Sequence, residues 1–568
     1  MTDRLLRRVA LVWAPLAFAA LLVGAVVVGV PSSGQFGFAE TLVQAVLLGG
    51  YAVGWLLALR WTMAGATLMA VTGVGVAALS ALQYQPDRGA LLAVVLFVPA
   101  GLLWWTWRRG RGLVPVVALA LATVTVFAMG AVAADEVYDV AYGPQAPQST
   151  VGTRPADRVG WIWSGALTPT SARVVAQLRA DLDDLGGSEA VVLRVEGAGA
   201  TTSVRAKPST EDVVGFDLTA LVPGTTYEYV VEVGGRPDAS RGRGSLTTPL
   251  EGPQSFTVAF GSCARLGSDA LTFQAVAGTD PLLFLVTGDF FYADIARNDL
   301  SDFARAYDRQ LTAPAIAALT AQVPVAYMWD DHDFGPNDAD RTSPSKAASL
   351  QAYRSFVPHY PLVLDDGDGP ISQAFTIGRV RFLLPDLRSQ RDPAGDPDGE
   401  GKTMLGAEQR AWLEQELVTA SQENALVVWV SSVPWIVPAG ESIDTWGGYA
   451  TERAALAEVV AAHDIDNLVV LAGDAHMTAA DDGTHSDYSA EGGAGFPVLH
   501  AGPLDQRTSV KGGPYSEGVS AEPGQYGLLT VTDAGGAEVT VAFDGRTADG
   551  RTVVDYAWTV PVTSPAAG

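Results

Sequence analysis

Residues 323-VPVAYMWDDHDFGPND-338 join an apolar run, Val323 to Met328, to a segment that carries four aspartates, a histidine and an asparagine. Carboxylates held side by side repel one another and raise each other's pKa. At the end of a buried strand they must either open into a solvated turn or face a strong positive charge. The pattern recurs along the chain. Strand-like runs end in 255-SFTVAFGSC-263, 281-PLLFLVTGD-289, 379-RVRFLLPDLRS-389, 424-NALVVWVSS-432 and 467-NLVVLAGDAH-476. Between them lie helix-like stretches such as 301-SDFARAYDRQLTAPAIAALTAQ-322, 406-GAEQRAWLEQEL-417 and 451-TERAALAEVVAAH-463. Strands alternating with helices predict a layered α/β domain, here over 251–568. In such sheets, ligand sites gather beyond the carboxyl ends of the strands.

The polar residues just past those ends are Cys263, Asp289, Asp330 to Asp333, Asp386, Arg388, Asp474 and His476. Acids, a thiol and imidazoles brought to one rim need compensation, and cations supply it. Cys263 is the only cysteine of the chain, so it forms no intrachain disulfide. It reads as a small buried hydrophobe, a nucleophile or a thiolate ligand for a transition metal. Tyr292, three residues after Asp289, reads as an ordinary aromatic or a phenolate ligand. Of six histidines, His332 and His476 stand near aspartates at strand ends. His359, His463, His485 and His500 lack that setting and read as structural or surface groups.

Ahead of this region the period changes to two. The runs 159-VGWIWSG-165, 171-SARVVAQLR-179, 189-EAVVLRVEG-197, 213-VVGFDLTAL-221 and 225-TTYEYVVEV-233 predict a small β-sandwich over 155–250. The segment 221-LVPGTTYEYVV-231 resembles the corner of a fibronectin type III-like domain, with Tyr227 or Tyr229 turning its hydroxyl to the backbone upstream. Residues 135–154 form a polar linker.

The first 134 residues differ in character. They hold eight basic and three acidic side chains, a net of +5, so the remainder carries −31 of the chain's formal −26. An acidic body repels nucleic acid, and no specific nucleic-acid binding is expected. Five apolar runs, Val9–Val30, Thr41–Leu59, Trp61–Leu82, Ala90–Trp107 and Leu113–Ala134, each approach the ~20 residues of a membrane span. They predict a membrane domain of five transmembrane helices over 1–134. Arginines at 4, 7, 8, 60, 108, 109 and 111 fall on one side of such a bundle. The positive-inside rule then puts the N-terminus in the cytoplasm and the remainder outside the cell membrane.

The series GSC, GDxxYAD, WDDHDxGxND and GDxH, with a fibronectin-like domain before it, resembles the alkaline phosphatase D family of calcineurin-like metallophosphoesterases. The resemblance covers about residues 155–560. It implies a four-layer α/β/β/α metallophosphoesterase domain and a dinuclear metal centre. Asp289 would bridge two ions. Cys263, Tyr292 and His476 would complete a ferric site, and Asn337 and Asp474 would serve a second ion, calcium, with Asp331 as a further candidate. Thiolate, phenolate and imidazole suit Fe(III), while carboxylate and amide oxygens suit Ca(II). His332 would stand near the leaving group and Arg388 near the phosphate. Asp330, Asp333 and Asp338 would accept hydrogen bonds around the ligands or cap a helix. The expected activity is phosphatase or phosphodiesterase hydrolysis of a small-molecule, phospholipid or cell-wall phosphate ester. Two rival readings are a calcium-binding adhesion module and a cysteine-nucleophile hydrolase.

Overall fold

The computed structural model describes residues 5–15, 38–84, 86–108, 158–179, 191–208, 211–364 and 367–562. The chain divides into two compact units, Met1–Val140 and Ala141–Gly568.

In the first unit, helices Phe38–Arg60, Thr62–Tyr84 and Pro86–Arg108 pack in sequence order. The first two touch closely: a Cβ added to Gly65 would lie 2.2 Å from the Ala58 nitrogen. Tyr51 donates its hydroxyl to the Leu96 carbonyl at 3.0 Å, and the Arg7 guanidinium donates to the Leu59 carbonyl at 3.2 Å. The expectation of five transmembrane helices is corrected here. Among the described residues, no helix is long and apolar enough to cross a membrane. Pro99 lies inside the last of these helices, Pro86–Arg108. The multi-pass cell-membrane location, with a cytoplasmic N-terminus and an extracellular catalytic part, falls with those helices. The expected fifth span and the linker 135–154 lie outside the described residues, as does most of the first span.

The second unit is built on parallel strands. Phe256–Gly261, Leu283–Thr287 and Val325–Met328 pair side by side, with helices Leu271–Gly278, Leu300–Thr312 and Pro314–Thr320 in the crossovers. Side chains alternate across a strand. Val258, Phe260, Leu283 and Leu285 therefore enter one core, while Ala259, Phe284 and Val286 pack with the crossover helices in another. A second sheet lies against the first core. Its strands Val380–Leu384, Leu426–Ser431, Leu468–Ala472 and Val498–His500 are parallel. Helices Ala407–Glu423 and Ala450–Ala462 add Leu413, Leu417 and Leu456 to that core. Strands covered on both faces read as unbroken apolar runs, which accounts for 468-LVVLA-472. The architecture is mixed α/β.

The first sheet grows at both edges to nine strands. Gln525–Thr532 pairs antiparallel with Phe256–Gly261, followed by Glu538–Thr547 and Thr552–Pro561. At the other edge Val159–Gly165 joins Val325–Met328 through Gly165 and Val325, followed by Ala172–Leu178 and Val213–Leu218. The sheet of Ala200–Arg205, Val191–Gly197, Thr226–Val233 and Arg236–Pro237 shares a core with these last three strands, including Ile162, Val174, Phe216, Leu193 and Val231. The 155–250 region is thus a sandwich, one of whose sheets continues into the central sheet. Of its two candidate corner tyrosines, Tyr227 meets the upstream backbone, its hydroxyl accepting from the Val222 N–H at 2.8 Å.

Candidate metal centre

The carboxyl ends of both sheets meet at one place, and two glycines show how closely. A Cβ on Gly473 would lie 2.3 Å from the Thr287 carbonyl and 2.9 Å from that of Ser432. A Cβ on Gly288, at φ +113°, would lie 2.8 Å from the Asp330 Cβ and 3.1 Å from the Ser432 Cβ. Only glycine lets strands of the two sheets deliver their next residues to a shared point. Those next residues are Asp289 and Asp474.

Four side chains singled out in the sequence sit on left-handed backbone: Cys263 at φ 65°, Asp289 at 54°, Asp474 at 59° and His476 at 51°. Non-glycine residues held there cost about 1–3 kcal/mol each and cluster at functional sites. The Cys263 thiol is buried, 3.7 Å from the Asp289 carboxylate. The Tyr292 hydroxyl lies 2.8 Å from His476 Nε2. His476 Nδ1 is 2.6 Å from the Arg507 carbonyl, which can only accept, so Nδ1 carries the proton and Nε2 presents a lone pair. Burial and the neighbouring Lys511 depress this imidazole to about 4, which keeps it neutral.

Protein cations compensate the acidic charge of this pocket only in part, Arg388 pairing with Asp330 and Lys511 with Asp474. Burial, then Asp289 and Asp474, push the Cys263 thiol well up. Burial, Asp289 and Cys263 do the same to Tyr292. Burial is also the main cause that raises Asp289, with Asp331 adding to it and His332 opposing. Ligand atoms of Asp289, Asp330 and Asp474 all lie within 4.8 Å of one another, as do those of Asp289, Asp331 and His332. One oxygen of Asp474, Oδ2, is buried with no hydrogen-bond partner among the described residues. A thiol, a phenol, an imidazole lone pair and a shared carboxylate form a soft donor set beside a hard carboxylate set with one open oxygen. These residues fit two cations.

Around this pair the acidic segment is divided. Asp333 caps the short helix Asp331–Phe334 and accepts from the Tyr327 hydroxyl at 2.6 Å and the Phe290 N–H at 2.9 Å. Asp331 accepts from the Asp338 N–H at 2.6 Å and also groups with Asp338 and Asp444. Asn337 stands half-buried in the turn before Asp338. His332 stacks on the Tyr292 ring at 3.9 Å, and its Nδ1 lies 2.7 Å from Asp294. Burial lowers its pKa, but Asp331, Asp289 and Asp294 outweigh burial and hold it well above the usual imidazole range.

Arg388 is fully buried. It donates to Asp330 at 2.5 and 2.9 Å and to Asp444 at 3.0 and 2.9 Å, with a further bond to the Ala339 carbonyl. Its fork is taken by carboxylates, so the structure makes it a tie between the 330 and 444 loops. Asp294, Asp444, Ser432 and Lys511 were not singled out from the sequence. Asp294 is the last residue of the GDxxYAD motif, 288–294. Ser432 ends the strand-like run 424-NALVVWVSS-432, while Asp444 and Lys511 lie on loops with no strand-end signal, and only folding brings them here.

With this geometry in view, the comparisons are specific. Residues 258–542 match the PhoD-like phosphatase family. The chain is 25% identical over 330 residues to alkaline phosphatase D of Bacillus subtilis (strain 168), a match covering 50% of this chain and 56% of that relative's length. A solved structure of PhoD superposes with a TM-score of 0.55 at 19% identity, covering 73% of this chain and 95% of that one. Purple acid phosphatase PPD1 from yellow lupin seeds superposes with a TM-score of 0.51 at 13% identity, covering 71% of this chain and 74% of its own. At these identities the two structures speak for the fold alone.

Proposed function

The chain belongs to the PhoD-like phosphatase family, and from that premise we propose that it is a metal-dependent hydrolase of phosphate esters with a dinuclear centre. The observation that carries this reading is the meeting of a soft and a hard donor set on Asp289, at the joint edge of two sheets. Cys263, Asp289, Tyr292 and His476 would hold ferric iron. Asp289 and Asp474, with Asn337 or Asp331, would hold calcium. Bound together, two cations lower the pKa of water and neutralise charge on the phosphoryl oxygens.

The protein's own groups do the rest. Asp289 keeps the two sites in one register, its other oxygen accepting from the His332 N–H at 3.3 Å. Asp294 orients the His332 ring by accepting from Nδ1, which leaves Nε2 as the proton-bearing edge for the departing alkoxide. The carboxylates that raise its pKa keep that proton in place until it is needed. Arg388 holds Asp330 and the 444 loop in position, and binds no phosphate directly in this reading. Cys263 is a poor nucleophile here: it is fully buried, and burial beside two carboxylates favours the thiol.

Elemental analysis of the purified protein, alongside hydrolysis of p-nitrophenyl phosphate and bis-p-nitrophenyl phosphate, tests the proposal. Iron plus a second divalent ion is expected, with activity lost to a chelator and restored by metal. Full activity in metal-free protein would overturn it.

A further inference from the structure

The loop 505–515 carries no strand or helix, yet it meets each of the turn residues Asp474, Ala475 and His476. The Arg507 carbonyl accepts from His476 Nδ1 at 2.6 Å. Ser509 donates its N–H to the His476 carbonyl at 3.1 Å and its hydroxyl to the Ala475 carbonyl at 3.0 Å. Lys511 Nζ donates to Asp474 Oδ1 at 2.6 Å. The loop is itself pinned. The Gly513 N–H donates to the Ile436 carbonyl at 2.8 Å, and the Tyr515 hydroxyl donates to the Lys511 carbonyl at 3.0 Å. Gly512, at φ +71°, has no room for a side chain, since a Cβ would lie 2.1 Å from the Ile436 carbonyl.

The two oxygens of Asp474 are therefore unequal. Oδ1 is held by an ammonium, while Oδ2 is buried without a partner among the described residues, in a residue only 8% exposed that groups with Asp289 and Asp330. A free carboxylate rotates and presents either edge. One whose outer oxygen is fixed presents the other in a single direction, which is how groups behind a ligand tune its affinity. Resting on the two-cation reading above, we infer that Lys511 is a positioning residue, which fixes Asp474 so that Oδ2 faces the second cation. The ammonium also repels that cation. The sign of the effect of its removal therefore decides between orientation and mere charge balance.

The test uses full-length protein stripped by chelator and titrated calorimetrically with Ca²⁺ and, separately, Mn²⁺. Lys511→Met should bind the better of the two ions about 10–100-fold more weakly than wild type. Lys511→Arg should recover most of that loss, and iron content measured before stripping and circular dichroism should stay unchanged. In an Asp474→Asn background, Lys511→Met should have no further effect, because the carboxylate it acts through is gone. If Lys511→Met does not fold, Lys511→Gln takes its place with the same expectation. Equal or tighter binding in Lys511→Met overturns the inference, as does an equal loss in both backgrounds. A wild-type protein that takes up neither ion sinks the two-cation reading itself, a distinct result.

Discussion

At the scale of the residue, the proposed function rests on a few buried acidic side chains that two cations would help to balance. In the proposed centre Asp289 would be shared by both donor sets, so Asp289→Asn should abolish hydrolysis and release both ions rather than weaken one. A rate above a tenth of wild type with full metal content would remove it from the shared position. Cys263→Ser exchanges a soft donor for a hard, protonated hydroxyl. It should lose iron and visible absorbance before it loses the second ion, as absorption spectra read against elemental analysis will show. His332→Ala should slow hydrolysis of alkyl esters by about 10²–10⁴-fold and of p-nitrophenyl esters much less, because p-nitrophenolate departs without a proton. An equal loss on both substrates would place His332 on the phosphoryl group instead. These residues were legible because each stands within a few positions of an apolar run. Lys511 and Asp444 were not, since a loop residue reveals its partner only when a contact closes over dozens of positions, as between Asp474 and Lys511.

At the scale of the element, the turn after Leu468–Ala472 is the tightest joint. Gly473→Ala would drive a methyl against the Thr287 and Ser432 carbonyls, which belong to different sheets. Overpacking of this kind costs about 1–3 kcal/mol, and here it would also displace Asp474. Lower thermal stability and lower metal content should appear together. Undisturbed metal uptake would show that the turn yields. In the sandwich, Asp238 accepts from the N–H groups of Arg158, Val159, Ser240 and Arg241. Burial opposes its charge, yet these donors outweigh burial and bring its pKa down to about 2. A carboxyl depressed by folding adds stability that is full above its unfolded value near 3.9 and is lost as pH falls through about 2. Asp238→Asn should therefore cost about 1–2 kcal/mol at neutral pH. Its gap to wild type in urea midpoints should close between about pH 4 and pH 2. A gap independent of pH would assign the loss to packing. The strands themselves were readable from uniform apolar runs and period-two alternation. Which strands pair was not: Gln525–Thr532 beside Phe256–Gly261 joins segments far apart in the chain, and register across such a distance leaves no local mark.

At the scale of the whole molecule, the sequence places a sandwich over 155–250 before a catalytic domain over 251–568, and a cut at residue 251 would part the two. The packing argues against such a cut. Strand Val159–Gly165 is buried along its whole length. One side of it lines the sandwich core, and the other presents Trp161 and Trp163 to the helices of the catalytic part. Trp163 stacks on Phe290, with ring centroids 5.9 Å apart, and donates its indole N–H to the Phe356 carbonyl at 2.8 Å. Phe290 follows Asp289, and its N–H holds Asp333. The sandwich thus backs the loop on which both proposed metal sites depend. Trp163→Ala should cost about 3–5 kcal/mol and lower metal content although it touches no ligand. A protein beginning at residue 251 should expose Val325–Met328 as an open edge, together with the Phe290 face, and should aggregate. One beginning at residue 141 keeps every residue named in the centre, and should retain wild-type kcat and metal content whatever the first unit does. Size-exclusion chromatography and p-nitrophenyl phosphate hydrolysis of the two truncations decide the matter. A monomeric, active 251–568 fragment would show that the sandwich is an appendage, while an inactive 141–568 fragment would show that the first unit contributes to the site.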